Sequence, residues 1–327
     1  MRKLKPVLAG EPWQVAGNPK NLGELQGPAS TAPFEGQEVV DHHIWRDAGG
    51  TWRCWACIRG TAVGRIFYSW ESASLTTPDW KETGVAMRRS RECGESLNDR
   101  GRSHTGRVAC SPGVTAERKE WLQSPFVVRE GDTYFLFYGG GDADPCGALY
   151  ASSICLATSE DGFRFTRHRD VCGNSRIFVG PGEARDPCVV KHEGTWYLYY
   201  SGAETGTIAP NKFYVRTSRD LFHWSSSREV HWGGSAGSAP YECECPYVTY
   251  KEGYFYLFRT KNYATGSTYV YRSADPFDFG IGNDDCLVCS IDVAAPEIIT
   301  EGREEYISSC KEMSKGIVLH RLRWETD

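Results

Sequence analysis

The chain has 327 residues, 24% of them charged, and a formal net charge of −5. So mild a balance offers no basic stripe for nucleic acid and no strongly charged face for a polyanion. No apolar run approaches the roughly 20 residues of a membrane helix, and Met1-Arg2-Lys3-Leu4-Lys5-Pro6 has a basic start without the apolar core of a signal peptide.

In chain order, one phrase recurs: an apolar strand, a Gly turn and an aromatic strand. It opens at Asp41-His42-His43-Ile44-Trp45, turns at Gly49-Gly50 and continues through Trp52-Arg53-Cys54-Trp55. It returns at Ser124-Pro125-Phe126, at Asp186-Pro187-Cys188, at Cys245-Pro246-Tyr247 and at Ala295-Pro296-Glu297. A second phrase, Ser-x-Asp-x-Phe/Trp after a β-rich run, follows at Ser159-Glu160-Asp161, Ser218-Arg219-Asp220 and Ser273-Ala274-Asp275, with a weaker form at Pro78-Asp79-Trp80. Each unit therefore supplies about four short strands separated by polar turns. Repeats of this kind build propellers. The prediction is an all-β, five-bladed β-propeller with four-stranded blades around a central channel, in a single domain spanning residues 1–327. The blades begin near residues 38, 122, 184, 243 and 293. A β-sandwich needs no such repeated phrase. The first repeat is the longest, and its excess reads as a polar insertion over about 81–120, expected as a loop over the channel mouth.

Three acids stand at matched places in this repeat. Asp41 and Asp186 head the innermost strands of the first and third units, and Glu244 sits one residue before the head of the fourth. Strand starts in a propeller face one mouth of the channel. Acids gathered there repel one another and titrate apart. Glycosidic bonds are cut by such a set: one carboxylate attacks or activates water, and a second, held protonated, donates to the leaving oxygen. Glu242, two residues before Glu244, is on the same predicted strand face and is a rival acid. Trp45 and His43 share a predicted strand face with Asp41, so the indole is a candidate floor for a sugar and the imidazole a candidate ligand. Gln123, beside the second head, is a further candidate for substrate contact. The pairs Cys54/Cys57 and Cys286/Cys289 have metal-like spacing, but 54 and 57 are predicted on opposite faces of a strand, so they read as small buried hydrophobes and no metal site is expected. Thirteen cysteines, an odd number, and the lack of any Asn-x-Ser/Thr acceptor favour a reducing, cytoplasmic compartment.

Arg185-Asp186-Pro187 and Glu244-Cys245-Pro246 resemble two signatures of glycoside hydrolase family 32, the invertases, levanases and inulinases. The repeat pattern also resembles family 43, the arabinanases, arabinofuranosidases and β-xylosidases. Both are five-bladed propeller families. The resemblance implies Asp186 as transition-state stabiliser, Arg185 as a ligand of sugar hydroxyls and Glu244 as acid/base. The third family 32 signature, Asn-Asp-Pro-Asn-Gly, is replaced by Val40-Asp41-His42-His43-Ile44. Asp41 matches by position, as a nucleophile in a retaining enzyme or a base in an inverting one. The function implied is hydrolysis of a furanoside or a small pentose- or fructose-containing glycan. The alternatives are an inverting arabinosidase or xylosidase type, a propeller phosphorylase using the Arg-rich insertion for phosphate, and a non-catalytic carbohydrate-binding propeller. No cofactor is required by this resemblance, although arabinanase-like relatives often hold calcium on the channel axis. The partner implied is a small-molecule or oligosaccharide substrate, with no nucleic acid and no membrane, and the oligomeric state is left open.

Overall fold

The computed structural model describes residues 2–19, 22–27, 37–95, 119–143, 150–181, 183–203, 211–311 and 316–327. After β1 (Leu4–Ala16), the strands β2 (Glu38–Arg46), β3 (Trp52–Thr61), β4 (Gly64–Ser72) and β5 (Lys81–Met87) pair antiparallel in chain order. Next come β6 (Lys119–Glu130), β7 (Thr133–Ala143) and β8 (Tyr150–Ser159), with short β9 (Thr166–Arg167) and β10 (Arg176–Phe178) both laid on β8. A two-residue parallel contact, Gly64 with Glu120 and Arg65 with Trp121, joins these groups into one nine-stranded sheet.

Two separate four-stranded meanders follow. One is β11 (Ala184–His192), β12 (Thr195–Gly202), β13 (Lys212–Ser218) and β14 (Arg228–His231). The other is β15 (Glu244–Lys251), β16 (Tyr254–Asn262), β17 (Ser267–Ser273) and β18 (Leu287–Asp292). The last sheet runs β19 (Ile298–Glu301), β20 (Glu304–Ser309), β21 (Ile317–Thr326) and then β1, so the N-terminal strand completes the C-terminal sheet.

Alternation along each strand loads both faces. In β3, Cys54, Ala56 and Ile58 enter a cluster shared with β1 and β19–β21, whereas Trp55 and Cys57 enter one shared with β6–β8. In β7, Tyr134 and Leu136 face β2–β4, and Phe135 and Phe137 face β11–β14. A sheet buried on both faces reads as a nearly continuous apolar run, which is why Trp196-Tyr197-Leu198-Tyr199-Tyr200 shows no clean alternation. The Ser-x-Asp phrase is a side-chain-closed turn. Asp161 Oδ1 accepts the amides of Phe163 and Arg164 at 2.8 and 2.7 Å, and Asp220 Oδ1 those of Phe222 and His223 at 2.9 and 2.8 Å.

The expected insertion begins later than the sequence suggested. Lys81–Met87 is a paired strand, β5, because Lys81, Glu82, Gly84, Val85 and Met87 match β4 in register. Of the rest of the proposed loop, Arg91–Cys93 forms a 3-10 turn, 119 and 120 begin β6, and 96–118 lies outside the described residues.

The five repeat heads share one backbone feature. Asp41, Ser124, Asp186, Cys245 and Ala295 all have positive φ, at 46°, 53°, 56°, 49° and 45°. For non-glycine residues this is a strained, left-handed geometry. In β2, β6, β11 and β15 it coincides with a register shift, a bulge that lets the head side chain leave the ladder. Four of the five heads are followed by Pro, which has no amide to lose at a break in pairing.

The seam between β1 and β21 is close-packed at Gly316, whose φ is 97° and whose added Cβ would stand 1.9 Å from the Ala16 carbonyl oxygen. Gly316→Ala is expected to cost more than about 1 kcal/mol, read as a lower denaturant midpoint with an unchanged slope.

Candidate active site

The bulged heads of β2 and β11, and Glu244 beside the head of β15, converge on a cavity of about 480 Å³. Asp41, Asp186, Glu244, Arg185 and Gln123 all line it. The acids are linked through shared partners. Asp186 Oδ1 accepts the Ser124 hydroxyl at 2.6 Å and its Oδ2 accepts the Cys245 amide at 3.2 Å. Arg185 Nη2 donates to Glu244 Oε1 at 2.6 Å, and its Nε lies 3.7 Å from Asp186 Oδ2. Asp41 Oδ1 accepts the Tyr263 hydroxyl at 2.6 Å and the Cys245 thiol at 3.5 Å.

Each head does a different job. In the fourth unit the head column holds Cys245, and the acid stands one residue earlier. The bulge leaves room for both: Glu244 pairs with Thr260 on β16 and the next paired residue is Tyr247. Burial pushes the Cys245 thiol far up, reinforced by Asp186, Asp41 and Glu244, so it remains a neutral donor. Burial, Asp41 and Cys245 likewise keep Tyr263 a phenol. Two neutral donors therefore hold Asp41 without adding charge.

Glu244 is the acid whose environment stands out. Its carboxyl is pushed up to about 7, chiefly by burial and also by Asp186 and Asp41, against the pull of Arg185 and Arg65. Its side chain is still 17% exposed, which leaves it open to a ligand in the cavity. Arg185, only 5% exposed, is opposed by burial, but Glu183, Asp186, Glu244 and Asp41 around it hold it charged.

Three residues expected at the site from sequence do not line this cavity. Trp45 gives its indole N–H to the Gly162 carbonyl at 2.8 Å and packs edge-on to Trp55 and Phe165. His43 is held between Glu297, with Nδ1 2.9 Å from Oε1, and the Val127 carbonyl, 3.0 Å from Nε2. The expectation failed because the bulge at Asp41 breaks the two-residue alternation used to place 43 and 45 beside 41. Glu242 precedes β15, so strand alternation does not reach it. Its Oε2 accepts the Ala239 amide at 2.8 Å. Conversely, Tyr263, Cys245, Arg65 and Trp121 line or brace the cavity and were not singled out from sequence. Cys245 had a signal, since it occupies the head column.

Behind the heads is a second space of about 30 Å³, faced by His42, Phe126 and Glu297 among others. Both His42 ring nitrogens are buried without a hydrogen-bond partner, and burial lowers its imidazole to about 4, so it is neutral. Calcium takes six to eight oxygen ligands, whereas Asp186 is already bonded to Ser124 and Cys245, and Glu297 to His43. The space suits one water better than calcium.

The family model described as glycosyl hydrolases family 32 N-terminal domain matches residues 60–253. That span holds Arg185-Asp186-Pro187 and Glu244-Cys245-Pro246 but not Asp41. A sucrose-6-phosphate hydrolase of Bacillus subtilis (strain 168) is 32% identical over 131 residues, which is 39% of this chain and 26% of that relative. The chain thus matches about a quarter of that relative's length. Among solved structures, the Bombyx mori family 32 β-fructofuranosidase BmSUC1 superposes with a TM-score of 0.55 at 18% identity, over 87% of this chain and 59% of that one. A family 43 enzyme of Xanthomonas citri complexed with xylotriose gives 0.56 at 13% identity, over 92% and 90%. An exo-1,5-α-L-arabinanase from a bovine ruminal metagenomic library gives 0.56 at 15% identity, over 88% and 92%. These structural likenesses speak for the propeller fold they share with an all-β chain. The matched family model spans more than half of the residues, and the chain therefore belongs to the glycosyl hydrolases of family 32.

Proposed function

We propose that the chain is a five-bladed propeller glycoside hydrolase acting on a furanoside or a small pentose- or fructose-containing glycan. The five blades would be β2–β5, β6–β10, β11–β14, β15–β18 and β19–β21 with β1. Four apolar clusters between successive groups, the last joining β19–β21 to β2–β4, support a ring closed by the N-terminal strand.

The observation that carries the reading is Glu244: a carboxyl held near neutrality, open to the cavity, with two further carboxylates lining the same space. Glu244 donates its proton to the leaving oxygen as the glycosidic C–O bond breaks. Asp41, fixed by Tyr263 and Cys245, attacks the anomeric carbon or takes the proton of the attacking water. Arg185 holds sugar hydroxyls, and the Asp186 carboxylate faces the positive charge that develops on the ring. A screen with aryl furanosides and pyranosides tests this: turnover of the furanosides is expected, and no turnover of any glycoside would leave a carbohydrate-binding propeller as the better account. Turnover that requires inorganic phosphate would make it a phosphorylase.

The pH dependence follows from the same carboxyl. A general acid works only while protonated, so kcat/KM is expected to fall about tenfold per pH unit above about 7. Arg185→Gln removes a charge that pulls Glu244 down, and should move this alkaline limb to higher pH. The linked effect on stability has the matching sign. A carboxyl raised on folding contributes stability fully below its ordinary value of 4.5, lost as pH rises through about 7. A pH–rate profile whose alkaline limb ignores Arg185→Gln would remove Glu244 from the acid role.

A further inference from the structure

One buried carboxyl beside the site takes no part in the chemistry above. Glu183 stands just ahead of β11, two residues before Arg185, and is 2% exposed. The Gln123 amide is near, but neither Glu183 oxygen accepts a hydrogen bond of normal geometry. A buried carboxyl left this way is costly unless a charge answers it. That charge is Arg185, whose guanidinium nitrogens each face a different carboxyl. Nη2 lies 2.6 Å from Glu244 Oε1, Nε 3.7 Å from Asp186 Oδ2 and Nη1 4.0 Å from Glu183 Oε1. Burial raises the Glu183 carboxyl, and Arg185 opposes that.

The three contacts differ over a turnover. A general acid alternates between neutral and charged, so while Glu244 holds its proton Arg185 has a neutral partner in front. Asp186 lines the cavity and faces the ring charge, whereas Glu183 is not among the lining residues and meets no substrate. We propose that Glu183 is a positioning residue, the fixed counter-charge behind Arg185 that holds the guanidinium through both states of Glu244 and offsets its pull on the Glu244 proton. This rests on the reading of Glu244 as the acid. The other charged groups facing the cluster are Asp41 from β2, Arg65 from β4 and Asp186 from β11, while Cys245 and Tyr263 stay neutral. The competing account is a neutral Glu183 that fills space.

The test is Glu183→Gln, which keeps the shape and removes the charge. Without its counter-charge Arg185 pulls Glu244 down harder, so the alkaline limb of kcat/KM moves to lower pH, opposite to the shift expected for Arg185→Gln. Activity is expected about 3- to 10-fold below the parent at about pH 8 and within about twofold at about pH 5.5. Glu183→Asp keeps the charge and should restore most of the limb. In an Arg185→Gln background Glu183→Gln should shift the limb little further, because its action runs through Arg185. That double variant removes both buried charges, so it gives the answer if Glu183→Gln alone does not fold. A further shift as large as in the parent would overturn the role. The Glu244 carboxyl is also titrated directly by NMR of the isotope-labelled whole chain, with Glu244→Gln assigning its signal, which needs no turnover. A limb and a titration that both ignore Glu183→Gln overturn the proposal, as does an equal loss of activity at every pH. A titration that moves while no glycoside is cleaved keeps Glu183 and sinks the hydrolase, and cleavage with an unmoved limb does the reverse.

Discussion

Glu244→Gln is expected to slow cleavage of a glycoside with a sugar leaving group by about 10²–10⁴-fold while sparing the first step on a dinitrophenyl glycoside. A sugar alkoxide leaves only as it is protonated, and the amide that replaces the carboxyl has no acidic proton to give. Dinitrophenolate departs unaided. Asp41→Asn keeps the shape of the side chain and the contacts to Tyr263 and Cys245, but removes the group that attacks or activates water. It should therefore lose both substrates alike. Glu242→Gln should leave both unchanged, because its carboxylate is turned to the Ala239 amide outside the cavity. Pre-steady-state release of dinitrophenolate against steady-state sugar release gives the comparison. Leaving-group dependence at Glu242 instead of Glu244 would move the acid, and dependence at neither would end the catalytic reading of this cavity.

The second large effect is expected far from any reacting atom. Arg259 is fully buried towards the end of β16, with no carboxylate against its guanidinium among the described residues. It donates to the carbonyls of Glu242 at 2.8 Å, Gly233 at 2.9 Å, Ala236 at 3.2 Å and Gly237 at 2.6 Å. Its Nη1 also lies 3.0 Å from His231 Nε2. Burial, and then Arg259 itself, lower His231 to about 3, so that ring is neutral. With Nδ1 bonded to the Phe279 and Gly280 carbonyls at 3.1 and 2.8 Å, the proton is on Nδ1 and Nε2 is the acceptor. One side chain thus closes the 233–242 turn that delivers Glu244 to the cavity.

Arg259→Met would strand four carbonyl oxygens, two in buried contacts (Gly233, Ala236) and two in part-buried ones (Glu242, Gly237), and a buried one left unmet costs about 1–3 kcal/mol. Allowing for relaxation, a total loss of about 3–5 kcal/mol is expected. For a chain of 327 residues that is a Tm lower by roughly 4–7 °C. Arg259→Lys keeps the charge but concentrates it at one point that cannot span these acceptors, so it should recover little. Activity below the melting transition should also fall, since Glu244 follows the turn. A Tm within about 2 °C of the parent would show that the turn is held by other contacts.

Much of this architecture was legible in one dimension. The five heads at 41, 124, 186, 245 and 295 all have a left-handed backbone, and Pro after four of them marked the break in pairing. The Ser-x-Asp phrases are turns because an Asp oxygen satisfies two amides a few residues away, which is a local rule. Asp41, Asp186 and Glu244 were found because a repeated unit gives its acids equivalent places. These features depend on neighbours in sequence, so a sequence carries them.

The misplacements came where local rules end. Alternation predicted His43 and Trp45 at the sugar, but a one-residue bulge at Asp41 re-aims the chain, and only pairing with β3 reveals it. Glu242 and Glu244 look equivalent until Arg259, from another strand, folds one into a turn. Tyr263 reaches Asp41 across 222 residues, and Arg65 meets Trp121 through a two-residue parallel contact, neither of which any periodicity encodes. Order along the chain was enough for the repeat, the turns and the expectation that Asp41, Asp186 and Glu244 gather at one place, and all three line one cavity. Which acid is held near neutrality was settled only in three dimensions, because it depends on desolvation and on charges brought from three sheets to one cavity.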